Sequence, residues 1–197
     1  MDKKGFTIIE LVMVIILVAV VAVAASPLIF RGTESVTTAA FAGKIRDDIR
    51  YTQSLALLRS RLDTPTATNP TFAYRIRFNV ADANCTGTNQ YTIVNDANNN
   101  GTWGENPNAS GTIESARNPA TGEDYFCVQL DSGTYAGFTV SANFGGAVAG
   151  ILEFDNFGIP YDSDRAKLTA AKSVAVSKGS ESMTITVIPN TGLTAIQ

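Results

Sequence analysis

Few residues in this chain have the type and spacing to do chemistry. The run GFTIIELVMVIILVAVVAVAASP, residues 5–27, holds one carboxylate, Glu10, near the start of an otherwise apolar stretch. A charge inside a bilayer costs at least about 2.5–3.5 kcal/mol, so a carboxylate there marks a function. A second candidate is Asp96-Ala97-Asn98-Asn99-Asn100-Gly101. It fits the first half of a calcium loop, D-x-[DN]-x-[DN]-G, with Asp96, Asn98 and Asn100 as oxygen donors. The twelfth position of such a loop needs a bidentate carboxylate. Pro107 stands there, and Glu105 comes two residues early. A plain Asn/Gly turn explains the same residues with no metal, because both types tolerate positive φ. The expectation is therefore no cofactor, with calcium as the alternative.

The remaining inventory excludes more than it offers. The chain has no histidine among its 197 residues. That removes Ser-His-Asp and Cys-His catalysis and the commonest metal ligand, so no enzyme is expected. Two cysteines, Cys85 and Cys127, read as one disulfide in an exported domain. A zinc site would lack its other ligands. Residues 63–197 hold 7 Lys/Arg and 13 Asp/Glu, a net of −6, while residues 6–62 hold 6 basic and 4 acidic, a net of +2. An acidic head argues against nucleic acid as a partner.

Among the elements that must carry these residues, Leu11 to Phe30 is a run of 20 residues without a charge. As a helix it measures about 30 Å, the thickness of a hydrocarbon core. Lys3 and Lys4 precede it, which places the N-terminus in the cytoplasm and the remainder outside. A cleaved signal peptide, with Ala24-Ala25-Ser26 as its site, and a plain anchor are the competing readings, but neither needs Glu10. Helical periodicity continues, with Phe41, Ile45, Ile49, Thr52 and Ala56 on one stripe and Leu55 and Leu58 beside it. The pattern predicts one helix from Thr7 to Arg61, kinked or loosened at Pro27 and stopped near Asp63-Thr64-Pro65.

From residue 70 the period changes to two, with Phe72, Tyr74, Ile76, Phe78 and Val80 on one face of a strand. Further strands are predicted at 90–94, 125–130, 138–143, 150–154, 173–177 and 183–188, separated by turn-rich stretches. The result is an α+β chain, a long helix packed on an antiparallel sheet, with a polar surface loop over 95–122. Trp103, in that loop, is either an exposed contact or a packed side chain.

The N-terminus resembles the type IV prepilins and pseudopilins: a basic leader ending in Gly5, then Phe6-Thr7, Glu10, and an apolar helix with Pro27. That resemblance implies cleavage between Gly5 and Phe6 by a prepilin peptidase, N-methylation of Phe6, and a pilin fold. It divides the chain into a leader, 1–5, a transmembrane and polymerisation helix, 6–30, an amphipathic second half, 31–62, and a periplasmic head, 63–197. Glu10 then pairs with the amino group of Phe6 in a neighbouring subunit, because opposite charges attract strongly in low dielectric and each is costly alone.

Three stretches resemble the GspH/FimT group of pseudopilins and minor pilins. They are Arg46 to Ala56, with Thr52 where the group carries Ala; Ile151 to Pro160, with its Phe-x-x-x-Gly-x-Pro turn; and Met183–Ile188 followed by Asn190-Thr191-Gly192. The chain also resembles minor pilins of mannose-sensitive haemagglutinin (MSHA) pili. The resemblance implies a minor pseudopilin of a type II secretion system, or alternatively a minor pilin of a type IV or MSHA-like surface pilus. Its partners would be other pseudopilins or pilins, the prepilin peptidase and an inner-membrane assembly platform. DNA uptake is the less expected role, because Leu193 to Gln197 after Gly192 contains no Arg or Lys.

Overall fold

A computed structural model describes residues 8–30, 36–59, 74–98 and 100–197, with the backbone alone for 23–30 and 59. The chain divides into two compact units, 1–35 and 36–197. In the first, helix α1 runs Ile8–Phe30. In the second, helix α2, Thr38–Arg59, packs on antiparallel sheets, so the expected α+β arrangement is present.

The helical stretch differs from the single run expected in one respect. Val36 and Thr37 are not helical, and Thr37 begins α2 as its cap. Its hydroxyl accepts from the backbone N–H of Ala40 at 3.2 Å, and its carbonyl accepts from Phe41 N at 3.0 Å. A threonine cap satisfies one of the free amides at a helix start. The expected stop near 63–65 lies outside the described residues.

Side chains are described over 8–22 of α1, a length of about 22 Å at the helical rise. Among the described residues no helix is long and apolar enough to cross a membrane. The backbone of α1 continues through Pro27 to Phe30.

Among the described residues nine strands form two sheets where one was expected. In chain order they are β1 Tyr74–Phe78, β2 Gln90–Val94, β3 Cys127–Gln129, β4 Thr139–Asn143, β5 Ile151–Phe154, β6 Pro160–Tyr161, β7 Lys172–Lys178, β8 Glu181–Val187 and β9 Thr194–Ile196. One sheet has the order β3-β2-β1-β5-β6 and the other β4-β7-β8-β9, every pairing antiparallel. Strand twist accumulates across a sheet, and dividing the strands lets both halves face one helix.

β1 ends at Phe78, two residues before the expected Val80, and Asn79 follows it with a φ of 53°. Its side-chain amide reaches across to the carbonyl of Val140 in β4 at 2.7 Å. Asparagine tolerates this left-handed conformation better than other L residues.

The core lies between α2 and both sheets. All five stripe residues of α2, Phe41, Ile45, Ile49, Thr52 and Ala56, have no exposed surface. Phe41 contacts the rings of Phe138 and Tyr135 at centroid separations of 4.5 and 4.9 Å. Leu58, placed beside the stripe by its spacing, is instead 82% exposed. It sits one residue from the described end of the helix, off the face that the sheets cover.

The polar loop after β2 covers the outer face of the first sheet. Glu114, fully buried, anchors it by accepting from Ala97 N, Asn98 N and Asn108 Nδ2 at 3.1, 3.2 and 2.7 Å. Gly104 approaches so closely that a Cβ would lie 2.9 Å from Arg77, Tyr125 and Val94, and its φ is +79°. Only glycine fits both conditions.

Candidate assembly site

The described part of α1 is apolar on every side. Every residue from Ile8 to Ala22 is exposed, including Ile8 at 84%, Met13 at 67% and Leu17 at 66%. A helix that is hydrophobic all round belongs in a membrane or among other helices. Glu10 is the acidic residue of its first turn. There the amide dipoles favour a negative charge. Gly5 and Phe6, the expected cleavage and methylation residues, lie outside the described residues. Pro27 lies within the helical backbone of α1.

The three sequence stretches that carried the finer resemblance meet in space. Gln53 of α2 donates through Nε2 to the carbonyl of Gly158, in the β5–β6 turn, at 2.8 Å. The same nitrogen donates to Thr191 in the β8–β9 turn at 2.7 Å. Gly192 is held so tightly that a Cβ there would meet Gln53 at 2.7 Å and Phe154 at 2.8 Å, with φ at +65°. Arg50, one turn earlier, donates from Nε and Nη2 to the hydroxyl and carbonyl of Thr194, both at 2.9 Å. The departure at Thr52 is accommodated within the helix, because its hydroxyl donates to the Asp48 carbonyl at 2.8 Å. These polar residues tie the helix to both sheets.

Cys85 and Cys127 are joined, with their Cα atoms 5.5 Å apart and 42 residues apart in sequence. Asp96, Asn98 and Asn100 do come together, and their oxygens are occupied by the backbone. Asp96 accepts from Asn100 N and Gly101 N, Asn98 Oδ1 from Asn100 N, and Asn100 Oδ1 from Thr102 N. The side-chain amides of Asn98 and Asn100 both donate to Glu105 Oε2, at 3.0 and 2.9 Å. This is a turn built from Asx bonds. Among the described residues there is no group of three or more His, Cys, Asp or Glu side chains that could hold a metal.

Among the described residues, the charged clusters that escaped the sequence reading include two built around buried carboxylates. Asp48, buried in α2, accepts from Lys44 at 2.7 Å and from the fully buried Tyr91 hydroxyl at 2.6 Å. Burial pushes both the Asp48 carboxyl and the Tyr91 phenol above their ordinary values. The i, i+4 spacing of Lys44 and Asp48 was the signal that could have found them.

The second cluster is Arg75 and Glu153, cross-strand partners joined at 2.6 Å. Glu153 is fully buried, and burial outweighs the attraction of Arg75, pushing its carboxyl up to about 7. Burial likewise lowers Arg75 to about 10. The Arg75 guanidinium stacks on Trp103 at 3.4 Å from the ring centroid, so that half-buried tryptophan is packed. The signal missed was a carboxylate inside the apolar strand Ile-Leu-Glu-Phe.

The feature that looks outward is the N-terminal helix. No curated protein and no solved structure matches the chain. Residues 1–26 match the family model of the prokaryotic N-terminal methylation motif, which supports a type IV pilin-like reading of this N-terminus.

Proposed function

We propose that this protein is a minor pseudopilin of a type II secretion system, acting by assembly and not by catalysis. The observation that carries the assembly reading is the methylation motif over 1–26, continued by a helix apolar on every described side with Glu10 in its first turn. In this reading the peptidase cuts after Gly5 on the cytoplasmic side and methylates the new amino group of Phe6. The helix holds the precursor in the inner membrane as a single span, with the head in the periplasm. The charge pair between Glu10 and the Phe6 amino group of a neighbour then sets the register of stacking. Each partner is costly alone in low dielectric, which favours leaving the bilayer as part of a filament.

The minor-subunit reading is supported by the three stretches gathered around Gln53, which resemble the GspH/FimT group of pseudopilins and minor pilins. Deleting the gene tests it. Loss of folded exoproteins from the medium, with surface pili intact, is expected. Normal secretion with lost or altered surface pili would overturn the secretion role in favour of a surface pilus.

A further inference from the structure

Asn100 is the one asparagine of the chain that is followed by glycine. Such a pair carries its own reactants. The glycine nitrogen can attack the side-chain carbonyl carbon of the asparagine and close a five-membered ring, because both groups hang from the same few bonds. A side chain on the following residue would crowd that approach, and glycine has none. Two things ordinarily slow the attack: the amide nitrogen keeps its proton, and the carbonyl oxygen gathers charge that nothing steadies.

The turn that begins at Asp96 supplies both missing parts. Asp96 Oδ2 accepts the N–H of Gly101 at 2.8 Å, which places a carboxylate on the nucleophile as a general base. The backbone N–H of Thr102 donates to Asn100 Oδ1 at 2.7 Å, so a donor is already aimed at the oxygen where charge develops. Asn100 Nδ2 donates to Glu105 Oε2 at 2.9 Å, which fixes the plane of the amide. On the other side of the ring to be closed, the Asn100 N–H is held by Asp96 Oδ1 and Asn98 Oδ1 at 3.1 and 3.0 Å. Asn100, Gly101 and Thr102 are all exposed, so water reaches the site and ammonia can leave it.

We propose that Asn100 is a site of self-catalysed deamidation, in which Asp96 and the Thr102 N–H act on the Asn100–Gly101 pair. The Gly101 nitrogen forms a bond to Asn100 Cγ, and its proton passes to Asp96. The Cγ–Nδ2 bond then breaks, and the departing nitrogen takes that proton and leaves as ammonia. The succinimide left behind adds one water and opens to aspartate or isoaspartate. Nothing is oxidised or reduced: amide plus water gives carboxylic acid plus ammonia. The product sets a carboxylate at position 100 against Glu105, where an amide had donated. The tip of the loop thus gains a negative charge and loses a tie. The reaction needs only water, so it is the same in a pseudopilus and in a surface pilus.

The test compares the full-length chain in detergent micelles with a synthetic peptide of residues 94–107, which shows what the sequence does without the fold. Peptide mapping by mass spectrometry reads the replacement of NH2 by OH at Asn100, and fragmentation separates aspartate from isoaspartate. The folded chain should convert Asn100 about tenfold faster than the peptide. Its rate should also change less between about pH 6 and 8, because the peptide depends on hydroxide to take the amide proton and the folded turn does not. Asp96→Asn should slow conversion in the folded chain about tenfold or more and restore the steep pH dependence. Conversion no faster in the folded chain than in the peptide, or unchanged in Asp96→Asn, overturns the proposal. The comparison with the peptide needs no variant, so it decides even if Asp96→Asn fails to fold.

Discussion

The side-chain nitrogen of Gln53 donates to the carbonyl of Gly158 at 2.8 Å and, from the same amide, to that of Thr191 at 2.7 Å. One residue on the helix thus holds a turn from each sheet. Gln53→Ala should cost about 2 kcal/mol, the scale for losing two such hydrogen bonds, and lower Tm by roughly 4–8 °C. Gln53→Glu keeps the size but sets a carboxylate against two carbonyls, and should be the less stable of the two at neutral pH. Thermal melts of both variants check this. An alanine variant as stable as the wild type would show that the clamp is not structural.

The leader should be removed only when residue 5 is small. Gly5→Val is expected to block cutting and leave the leader attached. The intact mass of the protein recovered from membranes decides the matter, since the mature chain is also expected to carry one added methyl group. Normal maturation of the variant would remove the basis for the processing site.

Glu10 is expected to act after insertion. Glu10→Val should still be cut and remain in the membrane fraction, but enter filaments poorly. Quantifying the variant in sheared or purified filaments, relative to its level in membranes, measures this. Unchanged incorporation would mean that the carboxylate is not what sets subunit register.

The Cys85–Cys127 bond closes a loop that contains the whole polar segment over the first sheet. The chain-entropy account assigns such a loop about 4 kcal/mol, with the mechanism dependent on the model used. That is a large share of the roughly 5–15 kcal/mol that stabilises a domain. Reduction, or Cys127→Ser, should lower Tm and open residues 95–122 to protease. Protein alkylated in the periplasm before any reduction should show no free thiol; two free thiols would refute the pairing in the cell.

Glu153 should make stability depend on pH in a particular direction. Its carboxyl is raised from 4.5 to about 7 by burial. The folded chain therefore binds a proton that the unfolded chain has released across that window. Stability falls as pH rises from about 4.5 to 7 and levels off above, by roughly 3 kcal/mol if the whole shift is expressed. Asp48, also raised, contributes in the same sense. Glu153→Gln should flatten most of the slope in melts taken between pH 5 and 7.5. An unchanged slope would assign it elsewhere. Trp103, the one tryptophan of the chain, reports on the stacked Arg75 by its fluorescence over the same range.

Much of this protein was legible because its patterns are local. Phe41, Ile45, Ile49, Thr52 and Ala56 recur at the helical period, and burying one face of a helix needs no more than that period. The strands β1, β2, β4, β5, β7 and β8 announced themselves by alternation or by short apolar runs between turns. Glu10 was conspicuous because a charge is rare in such a run. What stayed hidden was set by contacts between distant segments. The strands β6 and β9, two and three residues long, carry too little pattern to be seen and exist through their partners β5 and β8. The hydrogen bond from Asn79 to Val140, which joins the two sheets, links residues 61 positions apart. Leu58 sits beside the stripe by spacing, yet among the described residues little covers it. Sequence alone determined which residues seek an apolar neighbour and which terminus carries the methylation motif, since both follow from residue type and spacing. Only the tertiary structure decided which polar groups are buried against one another, because a hydrogen bond such as Gln53 to Thr191 depends on where 138 residues of intervening chain have gone.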